Sequence, residues 1–258
     1  MSSRESPPAC HGWCRTCRRD HGLPRGRAQQ QAEALFDRLT RTGSIAPPGS
    51  ASPADPQLAT APLFGEARGK MFGVLECLAA DGTRQWLYSF SGQYNGQWLV
   101  PGWAPPLFDP AAYERLNGPG ERRIKALGRQ LATLPPADPD SRKLTGMRLR
   151  LSQQLMLALH ALYRIGNFRG DCVSLAEAVG TPGGKPTGIG DCCAPKLLGE
   201  AAAHDLAPIS LAEFYFGRSN RSGSRQHGRF YPPCSDKCRP LLGFMLCGAD
   251  ERREAYGG

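Results

Sequence analysis

The spacing of cysteines between residues 188 and 247 constrains this chain more than any other feature of its sequence. This stretch, about a quarter of the 258 residues, contains five of the ten cysteines and two of the five histidines. Cys192 precedes the helical pattern CAPKLLGEAA, with Asp191 as the expected N-cap. Cys234 and Cys238 precede a second helical pattern, RPLLGFML, and the strand pattern APISLAEFYFG lies between the two helices. The stretch therefore predicts a unit in which thiols gather at the starts of two helices.

Thiols in these positions are suited to a metal ion. A helix N-terminus favours the thiolate, so the pKa of Cys192 is expected to be lowered. A spacing of four places Cys234 and Cys238 on one side of a turn, and tetrahedral zinc needs about four Cys or His ligands. We therefore predict a Zn²⁺ site formed by Cys192, Cys234 and Cys238, with His227 as the fourth ligand; Cys193 or water are the alternatives for that position. Three unrelated buried cysteines would be the plainer interpretation.

This order of elements is similar to that of zinc-dependent deaminases, in which a His or Cys ligand and a nearby Glu open one helix, a strand follows, and P-C-x-x-C opens the next helix. The chain departs from the pattern twice. The last two cysteines are one residue further apart, and the position of the general acid/base Glu is occupied by Ala194. Glu213 or Asp191 would replace that carboxylate only in a different geometry. The resemblance implies a deaminase-like shell with a structural zinc and no catalytic residue.

Other segments predict the rest of the fold. Residues 71–78 and 86–90 alternate in polarity on either side of Asp81-Gly82, which is typical of a β-hairpin. Residues at about 119–168 predict a helical hairpin with a basic outer face. The predicted fold class is α/β, with a deaminase-like sheet flanked by helices, a helical-hairpin insert and a flexible N-terminal region. The predicted domains are a tail, helix and linker at 1–62, a zinc-binding domain at 63–247, and a C-terminal tail at 248–258.

The N-terminal region contains a second group of potential metal ligands: Cys10, His11, Cys14, Cys17 and His21. A small zinc site and a flexible tail with incidental cysteines are both compatible with this spacing. An amphipathic helix is predicted at 27–41, followed by a linker rich in Pro, Ser and Ala.

The composition limits the cellular compartment and the class of partner that we expect. No apolar run is long enough for a membrane helix, and the first residues lack the apolar core of a signal peptide, so a cytoplasmic protein without a membrane partner is expected. In a reducing compartment, ten cysteines favour metal binding or burial over disulfides. The net charge of +9 permits a nucleic-acid partner. The candidate RNA-binding residues lie in one loop: Arg218, Arg221, Arg225 and Arg229.

Four segments resemble the long N-terminal extension of some RluA-type pseudouridine synthases. They are GKMFGVL…FSG…PGWAPPLFD, GDCCAPKLLGEA, PISLAEFYFGRS and HGRFYPPCSDKCRPLLGFML, and the resemblance covers roughly residues 65–247. The H-R-L-D-type motif that carries the catalytic aspartate of those synthases does not occur in the chain. The resemblance implies a place in RNA modification, and RNA binding, without isomerisation of uridine.

Three functional hypotheses follow. The first is a zinc-binding, non-catalytic module that binds structured RNA or an RNA-modifying enzyme. The second is a deaminase-like hydrolase acting on a nucleobase, with Glu213 as a displaced acid/base. The third is a protein-interaction module whose zinc only stabilises the fold.

Overall fold

The structure, a computed structural model, describes residues 9–47, 55–135, 138–180, 188–235 and 237–257. Its strands, in chain order, are β1 (Cys10–Cys14), β2 (Arg19–Leu23), β3 (Lys70–Leu78), β4 (Arg84–Phe90), β5 (Arg164–Gly166), β6 (Cys172–Ser174) and β7 (Ala207–Phe216). Its helices are α1 (Ala28–Thr42), α2 (Pro110–Ala132), α3 (Pro139–His160), α4 (Leu175–Val179), α5 (Cys193–Ala203), α6 (Arg239–Met245) and α7 (Ala249–Tyr256). This mixture of helices and small sheets confirms the predicted α/β class.

The central sheet is antiparallel, with the strand order β4-β3-β7. Strands β3 and β4 form the predicted hairpin. Its turn needs a left-handed residue, which Gly82 supplies with a φ of 79°, and the Thr83 N–H donates to Asp81 Oδ1 over 2.9 Å. Strand β7 pairs with the other edge of β3. Because all the described strands of this sheet are antiparallel, a deaminase-like sheet is not confirmed.

The two faces of the central sheet pack against different elements. Alternation along β3 directs Phe72 and Val74 to one face and Leu75 and Cys77 to the other. The first face packs against α1. The second is covered by α5, which approaches most closely at Gly73, where a Cβ atom would crowd the Cys193 Cβ. The first turn of α5, with its cysteines, is therefore held directly over the sheet.

Helices α2 and α3 pack against each other and form the predicted helical hairpin, which begins at 110 rather than about 119 and ends at 160 rather than 168, because residues 164–166 form β5. Each begins at an aspartate whose side chain caps it: Asp109 accepts from the Ala111 N–H and Asp138 from the Asp140 N–H, both over 2.8 Å. Both helices lie within the described ranges, and neither contains a buried residue. The hairpin is therefore an arm whose outer surface faces solvent.

The N-terminal region is more closely packed than the flexible region predicted for it. Strands β1 and β2 pair, and β1 packs against α6 so tightly that Gly12 faces Gly243 backbone to backbone. Helix α1, predicted at 27–41, packs against β7 and β3. The predicted C-terminal tail contains α7. Residues 1–8 of the predicted N-terminal tail and 48–54 of the predicted linker lie outside the described residues.

Candidate metal centre

Two helix starts bring Cys192, Cys234 and Cys238 together. Cys192 is the N-cap of α5, and Cys238 is the N-cap of α6. The Cys234 carbonyl accepts the N–H groups of Cys238 and Arg239, each over 3.2 Å, which folds the chain into the turn that precedes α6. We call these three residues the thiol trio.

The distances within the thiol trio suit a metal ion. Cys234 Sγ lies 3.9 Å from Cys192 Sγ and 3.4 Å from Cys238 Sγ, and all three sulfurs lie within 4.8 Å of one another. An ion bound by tetrahedral sulfurs at about 2.3 Å requires them to be about 3.8 Å apart. The thiol trio could therefore hold a metal ion with little movement.

Hydrogen bonds within the thiol trio decide which sulfur ionises most easily. The contacts of Cys234 with the sulfurs of Cys192 and Cys238 lower the pKa of Cys234 far below its ordinary value. The same contact with Cys234, together with burial, raises the pKa of Cys192. The expected low pKa of Cys192 is therefore wrong, because its contact with Cys234 raises the pKa instead.

Asp191 also differs from its predicted role. The N-cap of α5 is Cys192 rather than Asp191. The Asp191 carboxylate instead accepts a hydrogen bond from the Tyr163 hydroxyl over 2.6 Å. This contact ties the residue before the thiol trio to the segment that follows α3.

The two protein residues considered for the fourth ligand lie outside the group. The ring of His227 packs among Phe36, Phe64 and Phe216, and its Nδ1 accepts from the Gly217 N–H over 3.0 Å. His227, predicted as the fourth ligand, therefore does not lie at the thiol trio. Backbone pairing next to β7 fixes it at the far side of its loop.

Cys193 points in a different direction from Cys192. Its buried thiol donates to the Met71 carbonyl over 3.3 Å, on the sheet beneath α5. Successive residues of a first helical turn face about 100° apart, so the pair cannot share one ion there. Among the described residues, the thiol trio therefore offers three protein ligands to an ion.

A buried carboxylate lies beside the thiol trio. Glu213, on the face of β7 that α5 covers, accepts the Ala194 N–H at Oε1 over 2.8 Å. Burial raises the pKa of Glu213 to about 8; the Ala194 N–H opposes this shift, and the neighbouring Cys234 adds to it. Position 194, where zinc-dependent deaminases carry the acid/base Glu, is an alanine in this chain. Glu213 of the adjacent strand β7 brings a carboxylate to the same helix start instead.

The loop after β7 presents the candidate RNA-binding arginines. Backbone pairing closes the loop, since Tyr215 N–H donates to the Arg229 carbonyl over 3.0 Å and Tyr231 N–H to the Glu213 carbonyl over 3.0 Å. Arg225 lies over the Tyr231 ring, 4.3 Å from its centre. The other three arginines, Arg218, Arg221 and Arg229, are exposed, and none of the loop arginines forms a salt bridge with a described residue.

A second group that could hold a metal ion combines both ends of the chain. Cys14, Cys17 and His21 of the N-terminal hairpin meet Cys247, which follows α6. Cys10 lies elsewhere, buried in the core. Sequence patterns pointed to the three N-terminal residues of this group, but nothing local linked them to Cys247.

Comparisons with known proteins add no relative. The chain matches no protein-family model, no curated protein and no solved structure. The likeness to the pseudouridine-synthase extension therefore stays a prediction. Among the described residues, no helix has the length and apolar character needed to cross a membrane.

Proposed function

We propose that this protein is a zinc-binding module that docks onto structured RNA without modifying it. The observation that carries the proposal is the placement of the arginine loop, residues 218–229, in the chain between Glu213 and Cys234 of the thiol trio. The loop leads directly into Cys234, so a metal ion at the thiol trio would stiffen the base of the loop. Zinc is the ion that best suits three thiolates in a compact site.

Charge supports RNA as the partner. The loop arginines are not neutralised by salt bridges within the described residues, so their charge is available to phosphate groups. The helical arm adds a second basic surface, in which exposed basic side chains outnumber acidic ones: Arg115, Arg122, Arg123, Lys125, Arg129, Arg142, Lys143, Arg148 and Arg150. Two basic surfaces on one molecule favour a folded RNA over a short single strand. This agrees with the RNA-modification context that the resemblance implies.

The test is the salt dependence of binding to a fluorescently labelled RNA stem–loop. Wild type is expected to bind at low salt and to weaken steeply as salt is added, because each phosphate contact releases counterions. Changing Arg221 and Arg229 to Gln should reduce the slope of log K against log salt by about 1.5. Fluorescence anisotropy at several salt concentrations measures this.

The matched control changes Arg25 and Arg27 to Gln. Both are exposed, and they flank Gly26, which packs against Ser210 near the start of β7, away from the loop that follows the strand. The control should keep the wild-type slope. An absence of binding at low salt, or an equal loss in both double variants, would contradict RNA docking and favour a protein partner.

Glu213 supports a second candidate, a hydrolase that releases ammonia from a nucleobase. A carboxyl group with a pKa of about 8 can take up or give a proton near neutral pH. It lies at the helix start that also holds Cys192. The described residues give the thiol trio three ligands, so a water molecule could take the fourth metal position. No described residue other than Glu213 offers a carboxylate to the Ala194 N–H.

The substitution Glu213→Gln separates this candidate from the first. Glutamine keeps an oxygen that accepts the Ala194 N–H but cannot exchange a proton. If the protein is a hydrolase, ammonia release from cytidine, adenosine or guanosine should be measurable in wild type and lost in the variant, at unchanged zinc content. Activity that survives the substitution removes Glu213 from the mechanism, and no release from any of the three nucleosides removes the candidate.

A further inference from the structure

The four side chains at the junction of the chain's two ends have the composition of a closed zinc site. The ligand atoms of Cys14, Cys17, His21 and Cys247 lie within 4.8 Å of one another, and His21 Nε2 lies 3.0 Å from Cys17 Sγ. Three sulfurs and one imidazole are a ligand set of structural zinc. Four ligands complete a tetrahedral site, whereas the thiol trio offers three among the described residues.

The N-terminal hairpin positions three of these ligands. Cys14 ends β1 and Cys17 lies in the tight turn to β2, where Arg18 has a φ of 57°. His21 faces Gly12 across the strand pair, on the side that packs against α6. Cys247 arrives from the end of α6, where its carbonyl accepts the Phe168 N–H over 2.9 Å. The group thus depends on the packing of the hairpin against α6.

Neighbouring side chains complete the arrangement around the ligands. His21 Nδ1 lies 3.6 Å from Asp250 Oδ2, so that Nε2 faces the sulfurs while Nδ1 faces a carboxylate. A zinc-bound imidazole usually presents its other nitrogen to an outer carboxylate in this way, although 3.6 Å is longer than a hydrogen bond. His21 is almost fully buried, and its Nδ1 has no hydrogen-bond partner among the described residues. The imidazole is therefore almost fully buried, as in a closed metal site.

We propose that Cys14, Cys17, His21 and Cys247 bind one zinc ion, and that this ion fastens the N-terminal hairpin to the end of α6. The site shares no residue with the thiol trio, so it stands whether or not the protein binds RNA. Its role is structural, because all four positions are filled by protein and none is left for water.

Metal analysis of the purified full chain tests the proposal. Cys247→Ser and His21→Ala should each lower the zinc content by about one ion per chain. Cys10→Ser is the matched control, because Cys10 is a buried thiol on the same strand as Cys14 but belongs to neither group. It should keep the wild-type zinc content.

Two further measurements make the test specific. His21→Cys should retain the ion and change its X-ray absorption spectrum from mixed sulfur and nitrogen ligands towards sulfur alone. Trypsin should cleave after Arg18 or Arg19 faster in Cys247→Ser than in wild type, since the hairpin loses its attachment. Wild-type zinc content in both Cys247→Ser and His21→Ala would overturn the proposal, as would a disulfide between two of the cysteines in the protein purified without reductant.

Discussion

Replacing Cys234 with serine is expected to lower the zinc content of the protein by about one ion per chain. Its sulfur lies 3.9 Å from that of Cys192 and 3.4 Å from that of Cys238. Without it, two sulfurs from separate helix starts remain. Free zinc at a thousandfold above its Kd stabilises the folded protein by about 4 kcal/mol, so the variant should lose about that much stability. Elemental analysis and urea unfolding with zinc present measure the two effects.

Cys193→Ser is the matched control for this experiment. The residue neighbours Cys192 and is fully buried, but its thiol donates to the Met71 carbonyl instead of facing the thiol trio. A serine hydroxyl can make the same donation. The control should therefore keep its zinc. Equal zinc loss in the two variants would show that the cysteines hold metal only indirectly, through the fold.

Changing Gly243 to alanine is expected to destabilise the protein by about 3 kcal/mol, at the upper end for overpacking. A methyl group at this position would overlap the Trp13 carbonyl and the Cys14 backbone nitrogen. Those atoms belong to the backbone of β1 and cannot rotate away. Strand β1 must then move off α6, which also separates Cys14 from Cys247. Urea unfolding measures the stability, and metal analysis should show a simultaneous loss of zinc.

Gly128→Ala is the corresponding control. Gly128 also lies inside a helix, α2, but a Cβ there would meet only the Arg148 side chain, at 3.8 Å. Alanine should stabilise this helix by up to about 1 kcal/mol. Opposite signs for the two Gly→Ala changes are the expected result. Destabilisation of similar size in both would mean that the contact between β1 and α6 has no special weight.

Local signals were enough to predict much of the fold. The hairpin of β3 and β4 was predictable because Asp81-Gly82 combines a positive φ with a side-chain acceptor for the turn. The helical arm was predictable because its two helices repeat apolar residues at helical spacing. The packing of β1 on α6 was not predictable in this way. It depends on Gly12 and Gly243, which are far apart in sequence and individually look like ordinary glycines.

The candidate sites show the same difference: residues with local sequence signals were predictable, and contacts between distant segments were not. Cys192, Cys234 and Cys238 were predicted as a group because each lies at the start of a helix, and the structure brings them together. His227 was chosen for its position in the sequence near Cys234. Spacing alone does not show that residues 227–231 pair alongside 213–217, which carries the ring away from the trio.

Two further features of the sites were not predictable from the sequence, for one physical reason. Cys247 joins an N-terminal group, and Glu213 provides a carboxylate at the amide of Ala194, through contacts between distant elements. A motif is a pattern along one segment, whereas a ligand set or an acid/base is a set of atoms in space. A neighbouring strand or chain end can therefore fill a position that the motif itself leaves vacant.

The base of the helical arm determines how freely the length of the arm could change. The Arg164 N–H donates to the Leu107 carbonyl over 2.8 Å, so the chain leaves and re-enters the core at nearly the same point. Tyr113, in the first turn of α2, packs against the core, but α2 and α3 contain no buried residue, so turns further along the arm add little to the core. Whole turns can be gained or lost in pairs without disturbing either cysteine group. The length of the arm thus sets how far from the two cysteine groups its basic side chains can reach.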